Sequence, residues 1–126
     1  MLTMRLQEPF FCIGGYSNRR LPNLILSAVI ALMALGRMAK YVMWGSYCEN
    51  VLEKRSPYRA DHLQGLQEQK DSGVLVALGP TFDNTRVFGI YEAEDEATVR
   101  QLVEGDPYWQ NGIWTAYEVY AWNQVF

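Results

Sequence analysis

The chain has one histidine, two cysteines and no apolar run long enough to cross a membrane, and each shortage removes a class of function. Cys12 and Cys48 have neither metal-ligand spacing nor redox-pair spacing, so they form no disulfide framework, and a reducing compartment is the simpler expectation. A lone imidazole, without thiols or carboxylates clustered at ligand spacing, argues against a transition-metal site and against haem. No glycine-rich phosphate loop follows a strand and opens a helix: Ile13-Gly14-Gly15 and Gly79-Pro80 do not fit one. Ser46 and Ser72 have no evident triad. No cofactor and no metal are therefore expected. Basic residues are also scarce where they would matter. Arg5, Arg19, Arg20 and Arg37 outweigh Glu8 at the N-terminus, but the segment after Arg37 is acidic in net charge, with seven Lys/Arg against thirteen Asp/Glu, which argues against a nucleic-acid partner held through phosphates.

What remains is a chain of 126 residues, 49% hydrophobic and 20% charged, a size and composition suited to one globular domain. Its character changes at Met38. Upstream, Leu24 to Leu35 is apolar except for Ser27, shorter than the roughly 20 residues a spanning helix needs. Three readings of residues 1–37 compete. They form a secretory signal with Arg19 and Arg20 as the positive flank and cleavage after Gly36, an upstream extension ahead of a true start at Met38, or a membrane-surface helix. The extension is preferred because Met38-Ala39-Lys40 begins a complete domain without a linker. Residues 1–37 are expected to stand outside the fold, and residues 38–126 to form it. No membrane contact is expected for 38–126. Cytoplasmic residence is the expectation, with export as the alternative if the first segment is a signal.

From Met38 onward the pattern alternates between strand and helix. Residues 39–48 mix β-branched and aromatic side chains and read as a strand. Ser56-Pro57 reads as a helix start, with Ser56 as N-cap, and Gly73 as a stop, giving a helix over Pro57 to Asp71. Residues 74–80 form a short apolar strand closed by Gly79-Pro80; 81–85 is a loop, and 86–93 a third strand. Glu94, Asp95 and Glu96 suit a helix N-terminus. Ala97, Val99, Leu102 and Val103 give that helix an apolar side, and Gly105 ends it. Residues 106–112 make a turn or a single helical turn. Residues 113–122 form a long strand, with Ile113, Thr115, Tyr117, Val119 and Ala121 on one face and Trp114, Ala116, Glu118, Tyr120 and Trp122 on the other.

The order β-α-β-β-α-β predicts an α+β, ferredoxin-like plait: a four-stranded antiparallel sheet with both helices on one face. The uncovered face would show rings from among Trp44, Trp114, Tyr120 and Trp122. An exposed patch of that kind calls for a cover, and a second copy packed sheet to sheet about a two-fold axis supplies one.

Candidate chemistry centres on His62. Tyr58, His62 and Leu66 fall on one helical face, with Arg59 and Leu63 beside it, so the imidazole sits on or next to the buried stripe. Two readings stand at this level: a half-buried ring bonded to a carbonyl or water, or a general acid/base. The second needs a carboxylate to fix the tautomer. Asp61 is adjacent in sequence and points about 100° away on a helix, and Asp71 lies near the opposite side. Asp106, after Gly105 and before Pro107, is held out of regular helix; it suits either an N-cap for the following turn or a partner for His62.

Residues 38–126 resemble the YCII-related family, within the dimeric α/β-barrel group of ferredoxin-like domains. The resemblance rests on Leu52-Glu53-Lys54-Arg55, Arg59-Ala60-Asp61-His62-Leu63 with Leu66, Gly79-Pro80, Asp106-Pro107-Tyr108 with Gly112, and the closing Val125-Phe126. It implies a homodimer with a recurrent His and Asp paired in a pocket near the interface, here His62 and Asp106, and a suspected enzymatic activity on a small molecule. One branch of the family is linked to breakdown of chlorinated, hydroxylated aromatics. On that basis the expected function is a small, cofactor-independent enzyme of isomerase, lyase or elimination type. His62 and Asp106 would be its acid/base pair, Arg59 would hold an anionic group, and Tyr58, Tyr108 and Trp44 would line the pocket. The alternative is a non-catalytic dimeric ligand-binding or accessory domain in which the His–Asp contact is structural. The chain departs from many relatives in its short Thr81–Thr85 loop and its Trp-rich C-terminal end.

Overall fold

The computed structural model describes residues 38–126; the expectations for residues 1–37 lie outside the described residues. Four strands form one sheet in the order β2-β3-β1-β4, every neighbouring pair antiparallel. The strands are β1 (Ala39–Tyr47), β2 (Leu75–Pro80), β3 (Arg86–Ala93) and β4 (Trp114–Trp122). Between β1 and β2 come α1 (Val51–Lys54), a 3-10 turn (Ser56–Tyr58) and α2 (Arg59–Asp71); between β3 and β4 come α3 (Glu96–Glu104) and α4 (Pro107–Gln110). This is the ferredoxin-like plait that the element order predicts.

The strands alternate as a half-covered sheet must. Tyr41, Met43 and Gly45 of β1, Val87 and Tyr91 of β3, and Val119 of β4 are buried, with Val99 and Val103 of α3 among the same core. The other face is left to Trp44, Phe88, Tyr120 and Trp122, all exposed. Gly45 lies where β1 approaches its neighbours most closely: a Cβ there would stand 3.0 Å from the Ala116 carbonyl oxygen and 3.0 Å from a Val87 methyl. Gly45→Ala is therefore expected to cost about 1–3 kcal/mol by overpacking, read as a lower urea midpoint at unchanged slope.

Trp114 departs from the expected alternation. Strict alternation puts it on the open face, and it is buried at 2% exposure. The register explains why. Ser46 pairs with Ala116 and Tyr47 with Trp114, so Thr115 is the extra residue of a β-bulge. One extra residue reverses the side-chain alternation beyond it, and Trp114 turns into the core.

Ser56 does not cap a helix; it opens the 3-10 turn without a side-chain cap bond, and the α-helix proper begins at Arg59. The helix stop is as expected. Gly73 takes φ +89°, and the Gly73 and Val74 N–H groups donate to the Lys70 and Gln69 carbonyls, the paired bonds of a Schellman motif. At α3 the Asp95 carboxylate accepts from the Thr98 N–H and caps the helix.

Candidate acid/base site

Local rules put Asp106 where it is. Gly105 is the C-cap residue of α3, and Pro107 disfavours helical backbone at the residue before it, so Asp106 is extended at φ −75°, ψ 138°. Pro107 then starts α4, where its missing N–H is no loss. The Asp106 carboxylate caps this short helix by accepting from the Tyr108 N–H at 2.8 Å.

The same carboxylate reaches α2. His62 Nδ1 lies 2.7 Å from Asp106 Oδ1 and 2.9 Å from Oδ2, and each residue is only 4% exposed. His62 is the buried residue of α2, so the helix faces the core through its imidazole. The two readings of Asp106, cap and partner, are both realised in one side chain. The ring is held in plane as well. Tyr108 stacks on it at 3.6 Å between centroids and 7° between planes, and Trp114 meets it edge-on at 5.3 Å and 87°.

This geometry sets the tautomer. A carboxylate oxygen accepts, so the proton shared with it belongs to Nδ1, and in the neutral ring Nε2 then keeps its lone pair. No other hydrogen bond to His62 occurs among the described residues.

A pocket of about 170 Å³ opens on the ring. Arg55, Arg59, Tyr47 and Asn84 give it polar groups; Leu63, Leu66, Leu78 and Pro80 give it apolar walls; Tyr108 forms its back with His62. Neither arginine has a carboxylate partner among the described residues. Of the six site residues expected from sequence, His62, Asp106 and Tyr108 are in mutual contact, and Arg59 is exposed on the pocket wall.

Tyr58 and Trp44 do not border this pocket. Tyr58 closes the 3-10 turn, with three residues per turn instead of 3.6, and packs half-buried against the core. Trp44 sits on an even position of β1 and points to the open face, where it meets Phe88 edge-on at 6.2 Å.

Tyr47 and Arg55 are pocket residues that the sequence reading does not assign to the site. The odd-numbered alternation Tyr41, Met43, Gly45 continues to Tyr47 and is the available signal. Arg55 lies in a stretch that carries the family resemblance, but its place on the pocket depends on the short α1 and the 3-10 turn, which follow Asn50 at φ 57° and the buried Val51. Burial pushes the Tyr47 phenol above its ordinary range, against a smaller pull from Trp114 and Arg55, and Tyr108 and Asp106 add to the push.

The family model of the YCII-related domain matches residues 39–123. The chain belongs to the YCII-related domain family. Among solved structures, this YCII-related chain is similar to the 5-chloro-2-hydroxyhydroquinone dehydrochlorinase TftG of Burkholderia phenoliruptrix, in complex with 2,5-dihydroxybenzoquinone. The two are 28% identical, the match covers 68% of this chain and 94% of that one, and the TM-score is 0.59. It is also similar to a NIPSNAP-like domain protein of unassigned function from Burkholderia xenovorans (18% identity, 71% and 88% covered, TM-score 0.44). A third likeness is to a dimeric ferredoxin-like protein from an uncultured marine organism (11% identity, 71% and 91% covered, TM-score 0.39). No curated protein matches the chain. Among the described residues no helix is long and apolar enough to cross a membrane.

Proposed function

We propose that this YCII-related domain is a small enzyme that moves a proton with His62, on a hydroxylated ring bound in the pocket beside it. The observation that carries the reading is the buried His62–Asp106 pair on the wall of a pocket that also holds Arg55 and Arg59, neither with a carboxylate partner among the described residues. His62 Nε2 takes a proton from the substrate. The electron pair left behind forms a new π bond while the leaving group departs with its own bonding pair, or it is held as an enolate that is reprotonated elsewhere. Asp106 holds the tautomer and stabilises the imidazolium as it forms, and the apolar surroundings strengthen that attraction. Arg59 pairs with an anionic oxygen of the ring.

The likeness to TftG supports the elimination form of this chemistry: one ring hydroxyl loses its proton as the C–Cl carbon gains one, and a second hydroxyl then gives its proton to Nε2 while chloride leaves with the C–Cl electron pair and the quinone double bonds form. The exposed aromatic sheet face supports a homodimer packed sheet to sheet.

The test is chloride release from 5-chloro-2-hydroxyhydroquinone by the full-length chain. Release above the buffer rate is expected, falling to background in His62→Ala with the fold retained by circular dichroism. Equal rates in wild type and His62→Ala would remove His62 from the chemistry.

A further inference from the structure

Three polar groups beside the His62–Asp106 pair have no role in that scheme. The Tyr108 hydroxyl and the Trp114 indole N–H are buried and make no hydrogen bond among the described residues. The third is the Tyr47 phenol, half-buried and on the wall of the pocket that His62 lines. The register sets Tyr47 opposite Trp114, whose unpaired indole N–H acts on the Tyr47 phenol. The charges of Arg55 and Asp106 both act on that oxygen. A buried polar group left unpaired costs about 1–3 kcal/mol. An unpaired indole N–H on the strand position opposite a pocket-wall phenol, with the unpaired Tyr108 hydroxyl in the same lining, marks a place suited to an oxygen atom.

We infer that Tyr47 and Arg55 form an oxygen-binding subsite of the His62 pocket, taking a phenolate, enolate or carbonyl oxygen of a small ring. The inference rests on the proposed function and deepens it by naming what the ligand must carry. An indole N–H only donates, so when it turns to the Tyr47 oxygen it occupies a lone pair and leaves the phenol O–H to donate to the ligand. Burial keeps that phenol protonated at neutral pH. Arg55 adds a positive charge that favours the ionised form of the ligand oxygen. Leu63, Leu66 and Leu78 then meet the ring itself. A ring that carries oxygens at two positions is held at one by Tyr47 and Arg55 and at another by Arg59, with the intervening atoms presented to Nε2.

The probe is 2,5-dihydroxybenzoquinone, titrated against the full-length chain and followed by quenching of tryptophan fluorescence. Wild type is expected to bind it, and Tyr47→Phe and Arg55→Gln each to weaken binding about 10-fold or more, the ordinary effect of losing a hydrogen bond to a charged group. Tyr47→Phe removes one oxygen atom. Arg55 lies outside the core, so Arg55→Gln reports on the subsite even if the Phe variant folds poorly. Wild-type affinity in both variants, with weakened binding in His62→Gln, would overturn the subsite and leave the His62 reading standing. No binding by wild type at millimolar probe would overturn both.

Discussion

Asp106→Asn is expected to leave a folded protein whose turnover is lower by about 10²–10⁴-fold, whereas Asp106→Ala is expected to lose stability as well. The difference follows from the two tasks of one carboxylate. Both oxygens face His62 Nδ1, at 2.7 and 2.9 Å, and Oδ1 also accepts the Tyr108 N–H. In Asn, the oxygen that remains still caps α4, but the other becomes an NH₂ donor aimed at Nδ1. Only an unprotonated Nδ1 accepts it, so the ring proton moves to Nε2, the atom that must be free. A neutral amide also offers no charge to the imidazolium. In Ala, both partners are gone: His62 is buried with Nδ1 unpaired, and α4 loses its cap. Breaking a buried pair from one side costs about 3–5 kcal/mol, which for a domain of this size lowers Tm by roughly 15 °C or more. Calorimetry and chloride release on both variants separate the two tasks. Full turnover in Asp106→Asn would reduce Asp106 to a helix cap.

The sequence is legible where a local rule acts alone. Gly73 ends α2 because a left-handed residue is needed there, Asp95 caps α3, and Pro107 forces Asp106 out of helix; each is a decision taken within a few residues. It is less legible where a neighbour in space decides. Thr115 reads as an ordinary strand residue, and only pairing with β1 makes it a bulge, so Trp114 was placed on the wrong face. Ser56-Pro57 has the letters of a helix start, yet the first turn winds as 3-10 and takes Tyr58 away from the pocket. The distance between His62 and Asp106 depends on how α2 and α4 pack, 44 positions apart, and no spacing rule within one element supplies it. Residue chemistry alone left Asp106 between two roles; the family resemblance singled it out as partner, and packing shows that the roles are compatible.

The sheet face without helices carries the other large expected effect. Trp44→Glu is expected to turn the proposed homodimer into a monomer while the protomer keeps its fold. Cross-strand register sets Trp44 beside Phe88 and Glu118, Val42 beside Ile90 and Tyr120, and Lys40 beside Glu92 and Trp122. The middle of the face, Val42, Trp44, Phe88 and Ile90, is thus apolar, and charges border it: Glu118 on β4, Arg86 on β3, and the Lys40–Glu92 pair at 3.6 Å. That is the layout of an interface with a desolvated centre and a charged rim. Arg86 lies 5.8 Å from the Trp44 ring and adds a cation over its face. Trp44 is 37% exposed in the single protomer, so a charge there is solvated in the monomer and buried only in the dimer. In a two-fold interface each substitution is counted twice. Losing a central tryptophan at about 2 kcal/mol or more per copy, before the cost of burying two carboxylates, weakens association by about 10³-fold or more. Sedimentation equilibrium of the full-length chain at micromolar concentration measures this directly, with Tm of the variant monomer as the check on folding. A wild-type chain that sediments as a monomer under those conditions would leave the aromatic face without a second copy as its cover.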